Sequence, residues 1–461
     1  MQNQSVETLS TMLHDQSVTS SELVNHYWKQ IKRLNPTLNA FIDLNHEAFL
    51  EARRLDYERK TKGPRSLFHG VPVVIKDNIL TNDHMRTTVN SRVFKNYFAS
   101  EDAFIVKCLR DAGAIILGKT TLSEFAYYMS KTTMPSGYGS LMGQTISAFD
   151  AALDPLGSST GSAVAVSAGM APIAIGTETN GSLMSPAKNN SLVSIKPTLG
   201  VVSRHGIFPI SYNQDTAGPL SQTVRDSAHL LDVIKGYDAS DSASTSQPAN
   251  YASATKEPVD TMRIGVLSLS IAKTTDTHQT IKEEAMRVFE AEGVQCIEID
   301  HTYDLPNNMH ILSSEMKRDM NHFLHTLSNA PVRSFDALTH ANRTRYRHNL
   351  KHGQGLFYDA LGRDMTLSDA TYMDARLKTN DSIARFLNLF DTHNLDAIIT
   401  PYYHPYAAVG GLPSVSVPAK TIKDNAPESL LFVGRPFSEP ALITLAYRYE
   451  QKTQHRETPA L

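Results

Sequence analysis

The sequence predicts an α/β fold in which helices are layered on a sheet that is at least partly parallel. Two observations carry this reading. Short apolar runs rich in Val and Ile, each ended by glycine or a polar cluster, have the length and composition of buried strands. Between them lie stretches whose apolar residues recur at three- and four-residue steps, the period of an amphipathic helix. Strands alternating with helices favour crossover connections, which set strands parallel and bury the sheet beneath helices.

In chain order, residues 5–60 read as helices. Thr19-Ser20-Ser21-Glu22 supplies an N-cap followed by an acidic first turn. GVPVVIKDNI then carries a buried strand at 71–75 that ends in the polar group Lys76-Asp77-Asn78, DAFIVKCLRDAG is a helix closed by Gly113, and AIILGKT is a second buried strand. A helix is expected at 162–169, with strands at 172–176 and 192–195. Residues 239–258, rich in Ser, Ala, Thr and Pro, are the clearest flexible stretch and read as a surface loop, not a domain linker. MRIGVLSLS and VQCIEID are strands flanking a helix at 277–292. Residues 306–392 are mostly helical, and Met309, Met316, Phe323, Tyr358 and Met373 read as a core stripe. LDAIITP and LPSVSVPA return to strands. The expected organisation is one domain over 1–461: N-terminal helices at 5–60, a core at 65–235, the loop at 239–258, a helical region at 306–392, and C-terminal strands and a helix at 393–461.

Composition excludes several function classes. With 44 basic and 47 acidic residues the net charge is −3, so no basic field is available to attract nucleic acid. The two cysteines, Cys108 and Cys296, lie in apolar-patterned segments and read as inert buried thiols. Their separation gives neither a disulfide framework nor a zinc spacing, in keeping with a reducing compartment. MQNQSVETLS has no positive region followed by an apolar one, and no run approaches the ~18 apolar residues of a membrane span. The expected location is the cytoplasm, with no membrane partner.

The chemistry-bearing stretch is GSSTGSAVAVSAGMAPIAIGTETNGS, residues 157–182, where two clusters of glycine and small hydroxyl residues flank a helix-like centre. Ser158 and Ser182 stand 24 residues apart. A serine hydroxyl attacks only when a neighbouring base takes its proton. Of 18 histidines only His205 lies near these loops, in a segment that reads as a surface turn; no G-x-S-x-G elbow with a matching chain order of triad partners appears, and no H-E-x-x-H spacing is present. Lysine is the alternative base. Lys76 directly follows a buried strand, where low dielectric disfavours the ammonium, although a lysine there equally suits an edge cap. Residues 176–182 could present backbone N–H groups to an oxyanion or form an ordinary strand-ending turn; no G-K-[ST] follows to suggest a phosphate loop.

Several ordered motifs together resemble the amidase-signature family of serine hydrolases over nearly the full length. They are GVPVVIKDNI (70–79), DAGAIILGKTTLSEFA (111–126), LGSSTGSAVAVSAG (156–169), GTETNGS (176–182), SIKPTLGVVSRHGIFPIS (194–211), DTAGPL (215–220), LPSVSVPA and FVGRPFSEPALITLAYRYEQ. GTET and QDTAGP are shared with the bacterial branch containing peptide amidases. The resemblance implies a central mixed twisted sheet covered by helices on both faces and a Ser–cis-Ser–Lys triad. By motif position Ser182 is the nucleophile, Ser158 the bridging serine after a cis peptide bond, and Lys76 the base. Backbone N–H groups of Thr179, Asn180, Gly181 and Ser182 form the oxyanion hole, and Ser159 supports the network. The implied reaction is hydrolysis of a small-molecule carboxamide to an acid plus ammonia or an amine, without metal, cofactor or obligate protein partner. Two alternatives accompany it: the glutaminase component of a tRNA-dependent amidotransferase, and a non-catalytic binding protein on the same scaffold, against which the retained Lys76, Ser158 and Ser182 argue.

This chain departs from the pattern in two places. Many relatives carry glycine pairs where it has Ser159-Thr160-Gly161 and Thr179-Asn180-Gly181, and many carry arginine after the nucleophile where it has Leu183 and Met184. Amides bearing a carboxylate are therefore expected to be poor substrates. Substrate choice is expected in residues 127–140 and the helical residues 306–380, with Tyr127, Met134 and Tyr138 lining an apolar or aromatic funnel or serving as packing.

Overall fold

The computed structural model describes residues 3–131, 134–269, 275–420 and 426–461. Thr132 and Thr133 of the expected substrate segment, and Ser270 at the end of one expected strand, lie outside the described residues.

Thirteen strands are present among the described residues: β1 (Phe41–Leu44), β2 (Pro72–Lys76), β3 (Ile115–Thr120), β4 (Tyr138–Gly139), β5 (Gly143–Gln144), β6 (Ile173–Glu178), β7 (Val193–Lys196), β8 (Thr216–Ser221), β9 (Arg263–Leu269), β10 (Gln295–His301), β11 (Ala397–Thr400), β12 (Ser414–Ala419) and β13 (Glu428–Val433). Eleven of them form one sheet in the order β1-β3-β2-β6-β8-β7-β12-β13-β11-β9-β10, while β4 and β5 pair as a small ribbon. The sheet is mixed. β2 runs parallel to β3 and β6, β9 runs parallel to β10 and β11, and the remaining neighbours are antiparallel. Every residue of β2, β3, β6, β8, β7 and β12 is buried. Because successive side chains point to opposite faces, unbroken burial requires cover on both faces.

That cover follows from local sequence. The helix Ser20–Leu38 starts at a capping box in which Thr19 and Glu22 satisfy each other's end of the first turn. All eight residues of the helix Thr160–Ser167 are buried, and it packs on β2, β3, β6 and β8. Its buried hydroxyl Ser162 is satisfied by Thr120 Oγ1 (2.7 Å) and the Ile175 carbonyl (3.1 Å). The helix Val224–Ile234 packs on β7 and β8, and Glu439–Thr453 on β12 and β13.

Three expectations change. Residues 5–60 hold the strand β1 between the helices Ser20–Leu38 and Ala48–Lys62, because Asn39 turns the chain left-handed (φ 51°) and the following residues pair with β3. Residues 239–258 are tied down near their C-terminal end: Tyr251 is 1 % exposed, its backbone N–H and that of Ala252 donate to Asp232 (3.0 and 2.9 Å), and Thr444 Oγ1 donates to the Ala254 carbonyl. In the helical region Met316 and Phe323 are buried in a second core with Phe94, Phe125, Phe208, Phe335 and Phe357. Tyr358 and Met373 instead lie at the surface, about 100° of helix away from the buried residues beside them.

Candidate active site

β2 and β6 are parallel neighbours in register Val74↔Ala174 and Ile75↔Ile175, so their C-terminal ends bring Lys76 beside Gly176 and Thr177. The mouth of parallel strands is where open α/β sheets bind ligands. Ser159, N-cap of the helix Thr160–Ser167, sits against the same strand end. Its hydroxyl accepts from the Thr177 N–H (3.2 Å) and donates to the Thr177 carbonyl (3.0 Å). This approach needs the missing side chain at Gly176, where a Cβ would stand 2.6 Å from Ser159 Oγ.

Lys76 has no exposed surface. Its Nζ lies 2.8 Å from Ser158 Oγ, 3.0 Å from Ser159 Oγ, 2.9 Å from Thr177 Oγ1 and 3.1 Å from the Thr177 carbonyl. An ammonium has three N–H donors for these four oxygens; a neutral amine has two and a lone pair that a serine hydroxyl can donate to. Burial drives Lys76 down to about 7, against the pull of the Glu178 and Asp215 charges. At neutral pH both forms are populated. The Gly157–Ser158 peptide bond is cis.

The second loop leaves β6 at Glu178 and turns through Thr179–Ser182. The Ser159 N–H donates to the Ser182 carbonyl (3.3 Å), which ties the two serine-bearing loops together. Among the described residues, neither the Ser182 hydroxyl nor the backbone N–H groups of Asn180, Gly181 and Ser182 make a hydrogen bond. Ser182 is 7 % exposed. The loop is held from outside: Glu178 Oε2 accepts from the backbone N–H groups of Leu183 (2.7 Å) and Met184 (3.1 Å), and Gly181 adopts φ +82°. Thr179 Oγ1 donates to Asp215 (2.5 Å), and Gln214 Nε2 donates to the Thr179 carbonyl (3.1 Å). Asp215 also accepts from the Ile210 and Ser211 N–H groups, and burial raises its carboxyl to about 7. The arrangement can present a free hydroxyl and unoccupied backbone donors on a loop tied to the one whose Ser158 and Ser159 contact the buried Lys76 amine.

A narrow cleft beside the loop is lined by Asn78, Ala126, Thr177, Thr179, Phe208 and Asp215. A larger concavity of about 860 Å³, bounded by Arg204, His205, Tyr212, Asp241, Arg318 and His322, contains none of Lys76, Ser158 and Ser182. His205 faces Glu101 (3.9 Å) and Asp238 (3.8 Å) there. No cluster of His, Cys, Asp and Glu suited to a metal ion occurs among the described residues.

Lys76, Ser158, Ser159 and the 179–182 loop are thus brought together. Met134 and Tyr138 do not line the narrow cleft: Met134 is 4 % exposed and its carbonyl accepts from Tyr127 Oη (2.6 Å), while the Tyr138 ring packs edge-on against His352 (4.7 Å). The residues that reading the sequence missed are Thr177, Asn78, Asp215 and Tyr403. QDTAGP contained the signal for Asp215, and the polar group after β2 that for Asn78, whose Nδ2 donates to Thr177 Oγ1 (3.0 Å). Tyr403, whose hydroxyl donates to Asn180 Oδ1, carried no signal.

A family model described as Amidase matches residues 22–408. A probable amidase of Arabidopsis thaliana is 34% identical to the chain over 474 residues, covering 100% of this chain and 92% of the relative. The structure of native peptide amidase from Stenotrophomonas maltophilia superposes with a TM-score of 0.91 at 35% identity, covering 99% and 98% of the two chains. A glutamyl-tRNA(Gln) amidotransferase component from Thermotoga maritima superposes less closely, with a TM-score of 0.74 at 26% identity over 99% and 98%. No helix among the described residues is long and apolar enough to cross a membrane.

Proposed function

Since the chain belongs to the amidase family, hydrolysing an amide C–N bond, we propose that Ser182 is its nucleophile, Ser158 the proton relay and Lys76 the base. The observation that carries this reading is the fully buried Lys76 Nζ 2.8 Å from Ser158 Oγ, in a loop tied to that of the unpaired Ser182 hydroxyl. Neutral Lys76 takes the Ser158 proton while Ser158 takes that of Ser182, and Ser182 Oγ bonds to the amide carbon. The oxyanion is received by backbone N–H groups of Thr179, Asn180, Gly181 and Ser182; one such donor is worth about 3 kcal/mol in the transition state. Lys76 returns the proton through Ser158 to the leaving nitrogen, the C–N bond breaks, and ammonia or an amine departs from an acyl-Ser182 ester. Water then enters by the same relay in reverse, releasing the acid and restoring the Ser182 hydroxyl.

The chain acts alone on small neutral carboxamides, peptide amides among them. The likeness to peptide amidase, closer than that to the amidotransferase component, supports this reading, as do the buried apolar Leu183 and Met184 after the nucleophile. Ammonia release from a panel of neutral carboxamides is the test: wild type turns over at least one member and Ser182→Ala none. Turnover surviving in the variant overturns the assignment. Activity appearing only after a partner protein is added overturns the stand-alone reading.

A further inference from the structure

Tyr403 reaches the catalytic loop from the segment after β11. Its ring lies over Gly181, where a Cβ would stand 3.2 Å from Tyr403 Cζ, and its hydroxyl donates to Asn180 Oδ1. Tyr403 retains 37 % of its surface, and the surrounding protein raises its phenol well above the ordinary 10. The phenol therefore stays protonated and donates. Asn180 is exposed, and its Nδ2 makes no hydrogen bond among the described residues. With the amide oxygen held by Tyr403, two N–H donors point away from that bond, on the residue whose backbone N–H belongs to the proposed oxyanion hole.

We infer that the Asn180 side-chain amide, oriented by Tyr403, is a specificity-determining donor that binds the carbonyl oxygen preceding the scissile amide in a peptide-like carboxamide. The inference rests on the nucleophile assignment above. With the scissile carbonyl in the loop, the next acceptor along an N-acylamino acid amide is separated from it by one Cα and one nitrogen, within reach of an Asn side chain. A simple aliphatic amide has no such acceptor. A neutral donor suits a neutral carbonyl, and no charged group needs to be desolvated.

The test compares N-acetylleucinamide with 4-methylpentanamide, which lacks only the acetylamino group. In Asn180→Ala the ratio of their kcat/KM values should fall about tenfold, chiefly through KM for the acetylated substrate, the size expected for one neutral hydrogen bond. Tyr403→Phe should give a smaller fall in the same ratio. Calorimetry on Ser182→Ala should show N-acetylleucinamide binding about tenfold more weakly once Asn180→Ala is added. A merely structural role lowers both substrates by one factor and leaves the ratio unchanged, which overturns the inference, as does unaltered binding in the double variant. If Ser182→Ala is itself active on 4-methylpentanamide, the nucleophile assignment fails instead.

Discussion

The pH dependence of hydrolysis follows from where Lys76 is buried. Removing the amine from water disfavours its charged form and brings it to about 7. With Lys76 as the proposed base, only the neutral amine can take a proton, so kcat/KM should rise with pH. It should be half-maximal near 7, flat above about pH 8.5, and about a hundredfold below the plateau at pH 5, where about 1% of Lys76 is neutral. Asp215, raised to about 7, titrates in the same window, so the profile must be measured in variants as well. Asp215→Asn removes a charge that pulls Lys76 upward, and its half-rise should move to lower pH while the slope remains. Lys76→Met keeps the stem but removes the base. It should lose about 10²- to 10⁴-fold in kcat and show no rise between pH 6 and 9. The assay is initial-rate ammonia release from pH 5 to 9, with circular dichroism to confirm folding. A wild-type rate flat from pH 6 to 9, or a Lys76→Met variant that keeps the rise, would refute lysine as the base.

Two further outcomes follow from the packing around the site. Gly176→Ala places a Cβ 2.6 Å from Ser159 Oγ and 2.8 Å from Leu183 Cδ2 inside a buried strand; urea denaturation should show about 1–3 kcal/mol lost, and activity should fall as the Lys76 contacts are displaced. Malonamate should have a kcat/KM well below that of a neutral amide of similar size, because Leu183 and Met184 offer its carboxylate no cation and Arg204, which lines the narrow cleft, is already paired with Asp241; equal values would remove that explanation of substrate choice.

Local signals survived the step from sequence to structure where a short segment determines its own shape. The Thr19–Glu22 cap, the turn at Gly113 (φ +82°) and the Val/Ile runs of β2, β3 and β6 belong to that group. β1 was hidden because Phe41–Leu44 continues an apolar pattern that helices also use, and only its partner β3 distinguishes the two. Tyr358 and Met373 show that apolar residues in a helical region need not face the core. Lys76, Ser158 and Ser182, the proposed triad, could be picked out because ordered motifs carry them. Thr177 was not, since its role depends on the register of β2 with β6. Tyr403 stands 223 residues from Asn180, and only the folded chain brings the two side chains into contact.

In the proposed reaction Ser182 carries the acyl group. Peptide mapping after reaction with a serine-directed fluorophosphonate tests it most directly. A single phosphonylated peptide containing Ser182 is expected, absent in Ser182→Ala and formed much more slowly in Lys76→Met. Labelling that persists in Ser182→Ala, or a label on Ser158 or Ser159 in wild type, would contradict it.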